Sequence, residues 1–319
     1  LCTGMSLCSV FNALRAHQRE EQNAKEVRTR TLGKNKKEVY LQCISELERA
    51  TKKDSSVLPA NELYRMLTAG WVDSEKDLPA VGMTVDVMYM CGSINLEYII
   101  EKAHSVGAAV LIDGAQSTPH IKPDVQKLDV DFYVASAHKM CGPTGVGMIY
   151  GKESWLNKLP PYQGGGEMIA EVTFDKTTYA DLPHKFEAGT PNIAGVIAFG
   201  TALDYMNSIG FDEIAAYENE LLEYATEKLS SLDKMIIYGT SKEKAAVISF
   251  NIEGIHPYDI GSIVDKLGIA VRTGHHCAQP IMDYYKIPGT IRASFSFYNT
   301  KEEIDIFMEA LQRAITMLS

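Results

Sequence analysis

Lys139 stands where a lysine can act as a nucleophile. It follows the strand-like run DFYVASAH, which contains Ser136 and His138, and it precedes the glycine-rich turn GPTGVG. Most lysines lie in water, but a lysine buried beside a cofactor can lose its proton and form a Schiff base. Alternatively, Lys139 simply begins a surface turn, because glycine-rich turns are common and are a weak signal for phosphate.

Asp113 ends an apolar run in the stretch AAVLIDGAQ. A residue in this position lies at the carboxyl end of a strand, where open α/β sheets bind ligands. An aspartate there can also cap a helix or close a turn. Asp113 is therefore a candidate functional residue that needs support from its neighbours.

Cys277 follows two histidines in the stretch VRTGHHCAQP, and this cluster has three interpretations. It could bind metal, activate a thiol or form a packed turn. In an extended chain His275 and His276 point to opposite faces, and no second Cys/His cluster completes a site, so metal is disfavoured. A partly exposed thiol near imidazoles and Arg272 would have a lowered pKa and be a competent nucleophile.

Arg292 lies in the otherwise apolar stretch TIRASFSFYN. A buried arginine needs an anionic partner, and its planar guanidinium suits a carboxylate. The anionic partner of Arg292 could be the carboxylate of a substrate or an acidic side chain in a structural ion pair.

The elements that must position these residues alternate between helix and strand from about Leu96 onward, which predicts an α/β fold with a mostly parallel sheet. Helices are predicted at EYIIEKAHSVG, NIAGVIAFGTALDYMNSIG, FDEIAAYENELLEYATEKLSSL, DIGSIVDKLG and KEEIDIFMEALQRAITML, and strands at MTVDVMYMCG, AAVLIDGAQ, DFYVASAH, GVGMIYGKE, AAVISFNIEG, GIAVRTGHH and TIRASFSFYN. We place a domain boundary near Asn207, which gives domains 1–206 and 207–319. The charged stretch from Ala16 to Lys53 is typical of a solvated helical face.

Composition narrows the functional class. The 319 residues include 45% hydrophobic and 23% charged residues, which is typical of a globular protein able to form a large core. The net charge of −10 disfavours nucleic acid and anionic membranes as partners. We expect a cytoplasmic location, since no leader or membrane span is recognised. The six cysteines form no CxxC pair, so most are expected to be buried apolar residues.

Taken in order, LIDGAQSTPH, DFYVASAHKMCGPTGVGMIYGKE, PPYQGGGEMI, LPHKFEAGTPNIAG, AVRTGHHCAQP and IRASFSFYNTKEEID closely resemble the SUF-type cysteine desulfurases. These enzymes are a branch of the class-V aminotransferase-like family that includes selenocysteine lyases, and the likeness runs from about Gly92 to the C-terminus. It implies a fold-type I pyridoxal 5′-phosphate enzyme with helices on both faces of a mostly parallel sheet, a smaller C-terminal α/β domain and a homodimer. It also implies L-cysteine as substrate and a sulfur-acceptor protein of the SUF system as partner.

The resemblance assigns the cofactor-binding residues by position. Lys139 would carry the cofactor, Asp113 would face its pyridine nitrogen and Gln116 its phenolic oxygen. Ser136 and His138 would bind its phosphate. Thr190, in FEAGTPN, would reach the phosphate held by the partner subunit.

The remaining residues are assigned to the substrate. Arg292 would grip the substrate carboxylate, with Arg272 close to the cysteine loop. Cys277 would take the substrate sulfur as a persulfide, which would pass to the acceptor for iron–sulfur cluster assembly.

The N-terminal part departs from the family pattern. Gly4, Met5 and Ser6 occupy the place of a Gly-Thr-Thr-Glu phosphate cup, and no histidine lies between His17 and His104 to stack on the cofactor ring. The family's first segment has no counterpart, and Ala137 replaces a glycine. Two further hypotheses follow, which are an impaired homologue that serves as a partner-binding subunit and a selenocysteine lyase.

Overall fold

The computed structural model describes residues 2–3, 82–84, 96–105, 108–239, 244–276 and 278–319. Contacts divide the chain into two compact units, with the break between Gly210 and Phe211. The boundary expected near Asn207 falls inside the helix that ends just before this break. The expected solvated helix at 16–53 and the divergent residues 4–6, 17 and 33–36 lie outside the described residues.

The first unit contains a mixed sheet of five strands in the order β1-β5-β4-β3-β2. The strands are β1 (Cys2–Thr3), β2 (Gly82–Thr84), β3 (Leu111–Asp113), β4 (Phe132–Ser136) and β5 (Gly147–Gly151). Strands β2, β3 and β4 are parallel, whereas β5 is antiparallel to both β4 and β1. The sheet therefore departs from a mostly parallel one at β5, because the short glycine-rich turn after β4 cannot provide the long crossover that a parallel strand needs.

Besides two short 3₁₀ helices, at Ala137–Lys139 and His184–Phe186, three α-helices and a hairpin complete the described part of this unit. They are α1 (Leu96–His104), α2 (Glu153–Lys158), the hairpin of β6 (Ile169–Val172) and β7 (Thr177–Tyr179), and α3 (Ile193–Ile209). The sequence predicts α1 and α3 but misses α2 and the hairpin. Buried residues of β3 and β4 form the local core, and Leu111, Phe132 and Val134 belong to the same hydrophobic cluster.

Asp131 anchors the amino end of β4. Its carboxylate accepts hydrogen bonds from Val110 N at 2.8 Å and Trp155 Nε1 at 3.0 Å, and it lies 2.8 Å from His104 Nε2. Asp131 is 3% exposed, so these bonds offset the cost of burying its charge. They connect α1 and α2 to the sheet at the edge opposite the carboxyl ends of β3 and β4.

The second unit is built on an antiparallel sheet with the order β10-β11-β9-β8. The strands are β8 (Met235–Tyr238), β9 (Val247–Ile252), β10 (Arg272–Gly274) and β11 (Thr290–Ser294), and the helices are α4 (Phe211–Ser230), α5 (Pro257–Lys266), α6 (Gln279–Tyr285) and α7 (Lys301–Leu318). All six residues of β9 are buried. The helix α7 begins with a capping box in which Thr300 and Glu303 bond each other's backbone N–H groups.

Helix α4 buries one carboxylate among its apolar residues. Glu218 is 3% exposed, and its Oε1 accepts hydrogen bonds from Ser296 Oγ at 3.0 Å and Phe297 N at 3.2 Å. Tyr217 donates to Asn299 O at 2.9 Å. These bonds fix the loop between β11 and α7. None of the helices in the described part is both long and apolar enough to cross a membrane.

Candidate active site

Asp113 and Ser136 end two neighbouring parallel strands of the first unit. Asp113 is paired with Val134 in the register, so Ser136 lies two residues further along the adjacent strand at the same edge of the sheet. The Oδ1 atom of Asp113 accepts a hydrogen bond from Ala115 N at 3.0 Å, which is the turn-closing role weighed from the sequence. Among the described residues, no hydrogen bond to its second oxygen is present, so one carboxylate oxygen can serve a ligand.

Lys139 lies directly beyond this edge, in a short 3₁₀ helix formed by Ala137–Lys139. Ser136 Oγ is 2.9 Å from His138 Nδ1, so one of these two groups donates to the other. The side chain of Lys139 is half-buried and that of His138 is exposed. The structure thus brings Ser136, His138 and Lys139 together in a single turn.

The turn after Lys139 folds back tightly on the preceding strand. The N–H groups of Met140 and Gly142 both donate to Ala137 O, at 2.8 and 2.9 Å. A Cβ atom at Gly142 would lie 2.9 Å from that same oxygen, so a side chain does not fit there. The backbone conformation of residues 137–142, and with it the place of Lys139, depends on this glycine.

Cys141 differs from the expectation that most cysteines are buried. Its side chain is exposed, and partial burial still raises the pKa of its thiol. A raised pKa leaves the thiol protonated near neutral pH, so Cys141 is a poor nucleophile.

The loop after Asp113 is supported by two residues that the sequence analysis missed. Tyr133 crosses beneath Gly114, where a Cβ atom would lie 2.1 Å from the phenolic oxygen, and Tyr133 Oη is 2.9 Å from Thr118 Oγ1. Gln116 is half-buried in this loop. The available sequence signal was the glycine directly after Asp113, but nothing local identifies Tyr133 as the residue that needs the space.

Thr190 is exposed in the turn that leads into α3, after Gly189, which has a φ of 78°. Among the described residues, no hydrogen bond joins Thr190 to Asp113, Ser136, His138 or Lys139. The role expected for Thr190 concerns a partner subunit and stays a prediction.

The second unit carries the substrate-binding candidates. Arg272 and Arg292 are directly paired across β10 and β11. Arg272 is exposed and Arg292 is half-buried. Like charges in directly opposite positions of a sheet repel each other, and a bound anion such as a carboxylate would reduce that repulsion.

His276 is anchored to the first residue of β11. Its Nε2 atom lies 2.8 Å from Thr290 Oγ1 and 3.1 Å from Thr290 O. Burial of the ring, followed by the neighbouring Arg292, lowers the pKa of His276 to about 4, so the imidazole is neutral near pH 7. His276 therefore does not supply the positive charge that the sequence analysis expected from the imidazoles.

Cys277 itself lies outside the described residues. The residues on either side of it form a closed turn, because Ala278 N donates to His275 O at 2.8 Å. Within the described ranges, no group of three His, Cys, Asp or Glu side chains is arranged to hold a metal ion.

The residues of the first unit suit pyridoxal 5′-phosphate. A carboxylate, an amine and two hydrogen-bonding side chains at one sheet edge match its pyridine nitrogen, aldehyde and phosphate. The half-buried position of Lys139 also suits an amine that must react with an aldehyde.

Comparisons with known proteins give a consistent result. The model of the class-V aminotransferase family matches residues 87–307. The chain is 48% identical over 245 residues to a probable cysteine desulfurase of Halalkalibacterium halodurans, an alignment that covers 76% of this chain and 60% of the relative. It is 45% identical over 251 residues to a cysteine desulfurase of Serratia proteamaculans, with coverage of 78% and 61%.

A solved structure agrees with these sequences. The cysteine desulfurase CsdA from Escherichia coli matches with a TM-score of 0.71 and 37% identity over 75% of this chain and 59% of that one. The expected α/β fold of the fold-type I enzymes is confirmed. The chain spans about 60% of the length of the curated relatives reported above.

Proposed function

The chain belongs to the class-V aminotransferase family, whose enzymes use pyridoxal 5′-phosphate, and on that premise we propose that it acts as a cysteine desulfurase. The reaction converts L-cysteine to L-alanine and leaves the sulfur on Cys277. The observation that carries the proposal is the placement of Asp113, Ser136 and Lys139 at one edge of adjacent parallel strands. The identity of 48% to a probable cysteine desulfurase directs the choice of substrate.

Six residues would hold the cofactor. Lys139 would bind it covalently, Asp113 would keep its pyridine nitrogen protonated, and Ser136 and His138 would bind its phosphate. Gln116 would donate to the phenolic oxygen of its ring, and Thr190 would bind the phosphate held by the partner subunit. When bound, pyridoxal phosphate supplies an acceptor for the electron pair released at the substrate Cα.

The protein groups bind the substrate and move its proton. Arg292 binds the carboxylate of L-cysteine through two parallel hydrogen bonds, with Arg272 adding positive charge beside it. The released Lys139 amine takes the Cα proton as a general base.

Cys277 completes the sulfur transfer. Its thiolate attacks the substrate sulfur, so that an S–S bond forms while the substrate C–S bond breaks. The products are a persulfide on Cys277 and, after protonation of the former thiol-bearing carbon, L-alanine. No outside oxidant is needed, because the electron pair of the broken C–S bond stays on the substrate carbon, which is reduced to the methyl group of alanine as the sulfur is oxidised to the persulfide level.

The test is to incubate the protein with pyridoxal phosphate and L-cysteine and to measure L-alanine and sulfide in the presence of a thiol reductant. The parent is expected to form both in equal amounts, and Cys277→Ser to form neither while keeping the absorbance of the bound cofactor. Continued turnover by Cys277→Ser would remove its assigned role. A parent that binds the cofactor but forms no alanine would overturn the proposal.

A homodimer is part of the same proposal. The hairpin and α3 of the first unit present exposed apolar side chains, including Val172 at 59%, Ile197 at 66% and the fully exposed Phe174. Large apolar side chains that stay exposed on a folded unit are typical of an interface when they form one patch, and a partner subunit would cover them. The exposed Thr190 in the adjoining turn suits a residue that serves a partner subunit.

The sulfur acceptor, the SUF assignment and the cytoplasmic location are also proposals. The acceptor and the SUF assignment are supported by the motif AVRTGHHCAQP and the cysteine desulfurase relatives. Addition of a SUF acceptor protein should accelerate alanine formation if the persulfide is its substrate. A domain division into 1–206 and 207–319 likewise remains a proposal.

Two alternative functions are an impaired homologue that serves as a partner-binding subunit and a selenocysteine lyase. Gly4, Met5 and Ser6 in place of the usual phosphate cup favour an impaired, partner-binding homologue. Failure of the purified protein to bind pyridoxal phosphate would support that alternative. A selenocysteine lyase would instead release selenide from L-selenocysteine faster than it releases sulfide from L-cysteine.

A further inference from the structure

The pair formed by His276 and Thr290 has no part in the chemistry described above, yet it lies at the base of the Cys277 turn. His276 directly precedes Cys277, and its Nε2 atom contacts both the hydroxyl and the carbonyl of Thr290. Thr290 is 1% exposed and begins the strand that carries Arg292 two residues later. The His276–Thr290 pair therefore connects the residue before Cys277 to β11, the strand that carries Arg292.

The hydrogen-bond pattern defines the state of the imidazole. A carbonyl oxygen only accepts, so the contact with Thr290 O requires the proton on Nε2. The buried Nδ1 atom has no hydrogen-bond partner in the described part of the chain. A second proton on Nδ1 would therefore be buried without an acceptor, which keeps the ring neutral and excludes it as a proton donor to the thiol.

The backbone segments that carry Thr290 and His276 are packed tightly against each other, which restricts the movement of both residues. Asn251 Nδ2 donates to Gly289 O at 2.9 Å, just before Thr290. Gly289 has a φ of 151°, and a Cβ atom there would lie 3.0 Å from the backbone of Gly274. The two chain segments that carry Thr290 and His276 are thus in close backbone contact.

We propose that His276 and Thr290 are positioning residues, which fix the backbone directly before Cys277 against β11 and so set where its thiolate meets the substrate sulfur. The inference rests on the proposed desulfurase function. The charged and titratable groups that face the imidazole are Arg292, Arg272 and His275. Cys277 is the reacting residue. His276 and Thr290 do not react and act only by positioning Cys277.

The test compares two reactions of the holoenzyme. Persulfide formation on Cys277 in a single turnover with L-cysteine needs the thiol in place, whereas exchange of the Cα proton of L-alanine in deuterated water needs Lys139 but no thiol. Thr290→Val removes only the hydroxyl, His276→Phe removes the ring N–H, and Thr290→Ser retains the hydroxyl as the matched control. We expect Thr290→Val and His276→Phe to slow persulfide formation by about 10- to 100-fold, since small displacements of reacting groups cost that much.

Exchange of the alanine proton should stay within about two-fold of the parent in all three variants, because its chemistry does not involve the thiol. Alkylation of Cys277 by iodoacetamide without substrate should become faster in Thr290→Val and His276→Phe, as the turn is released. Unchanged persulfide formation in His276→Phe, or an equal loss of both reactions in every variant, would overturn the inference. Absence of persulfide in the parent would instead overturn the proposed function.

Discussion

Arg272 and Arg292 lie directly opposite each other on the antiparallel strands β10 and β11. Both guanidinium groups are cationic, so this register brings two like charges to directly opposite positions on the second unit's sheet. Such an arrangement suits an anionic substrate better than a neutral one, because the ligand's charge reduces the repulsion between the arginines.

Arg292→Lys should therefore raise the KM for L-cysteine by about ten-fold or more, since an ammonium cannot form the two parallel bonds of a guanidinium with a carboxylate. Initial rates over a range of L-cysteine concentrations measure the effect. Arg313→Lys, an exposed arginine on α7, is the matched control and should leave KM unchanged. An unchanged KM in Arg292→Lys would contradict its role in substrate binding.

Lys139→Ala should abolish the absorbance band that the covalently held cofactor produces near the visible edge, because no other residue of the 3₁₀ turn carries an amine. A scan of protein mixed with pyridoxal phosphate and freed of excess cofactor measures this. Lys122→Ala removes an exposed lysine of the same unit and should keep the band. If both variants retain it, the cofactor is bound through another residue.

Ile197→Glu should convert the proposed dimer to a monomer, since a charge in a buried apolar interface is strongly disfavoured. Light scattering after size exclusion gives the mass directly. Ile306→Glu places the same charge at another exposed isoleucine, on α7 of the second unit, and should leave the mass at that of the parent. Equal masses in the parent and Ile197→Glu would contradict an interface at this face of α3.

Glu218→Ala should lower the free energy of unfolding by about 2–3 kcal/mol, because it leaves the Ser296 hydroxyl and the Phe297 N–H without their charged acceptor. Urea unfolding followed by circular dichroism measures the change. The comparison is Glu220→Ala in the same helix, whose carboxylate forms a surface ion pair with Lys301 at 2.5 Å. Exposed pairs contribute little, so its unfolding midpoint should stay near that of the parent.

His276 should make stability depend on pH. Burial, with Arg292 as the next cause, lowers its pKa from 6.5 to about 4 in the folded state. Between these values the unfolded chain binds a proton that the folded one does not, so stability is fully present above about pH 6.5 and is lost as the pH falls toward 4.

Urea midpoints measured across this interval should fall less steeply in His276→Gln than in the parent, because glutamine does not titrate. His184→Gln removes an exposed histidine and should reproduce the slope of the parent. Identical slopes in the parent and His276→Gln would show that His276 titrates normally.

Much of the cofactor edge could be predicted from the sequence because its signals are local. An apolar run followed by a polar residue identifies the carboxyl end of a strand, and this pattern places Asp113 and Ser136 without any knowledge of distant contacts. The motifs around Lys139 and Cys277 were likewise sufficient to identify the family. The helix α2 and the hairpin were missed because the first is short and the second is largely exposed, so neither has a strong periodic pattern.

The sequence by itself determined which residue types are available and in what order they follow the strands. Only the tertiary structure decided that Arg272 faces Arg292, that Tyr133 requires a glycine after Asp113, and that His276 is a neutral anchor on Thr290. These relations depend on strand register and on contacts between residues far apart in the chain, for which no local pattern exists. Burial then sets the charge of His276, and burial is a property of the folded chain.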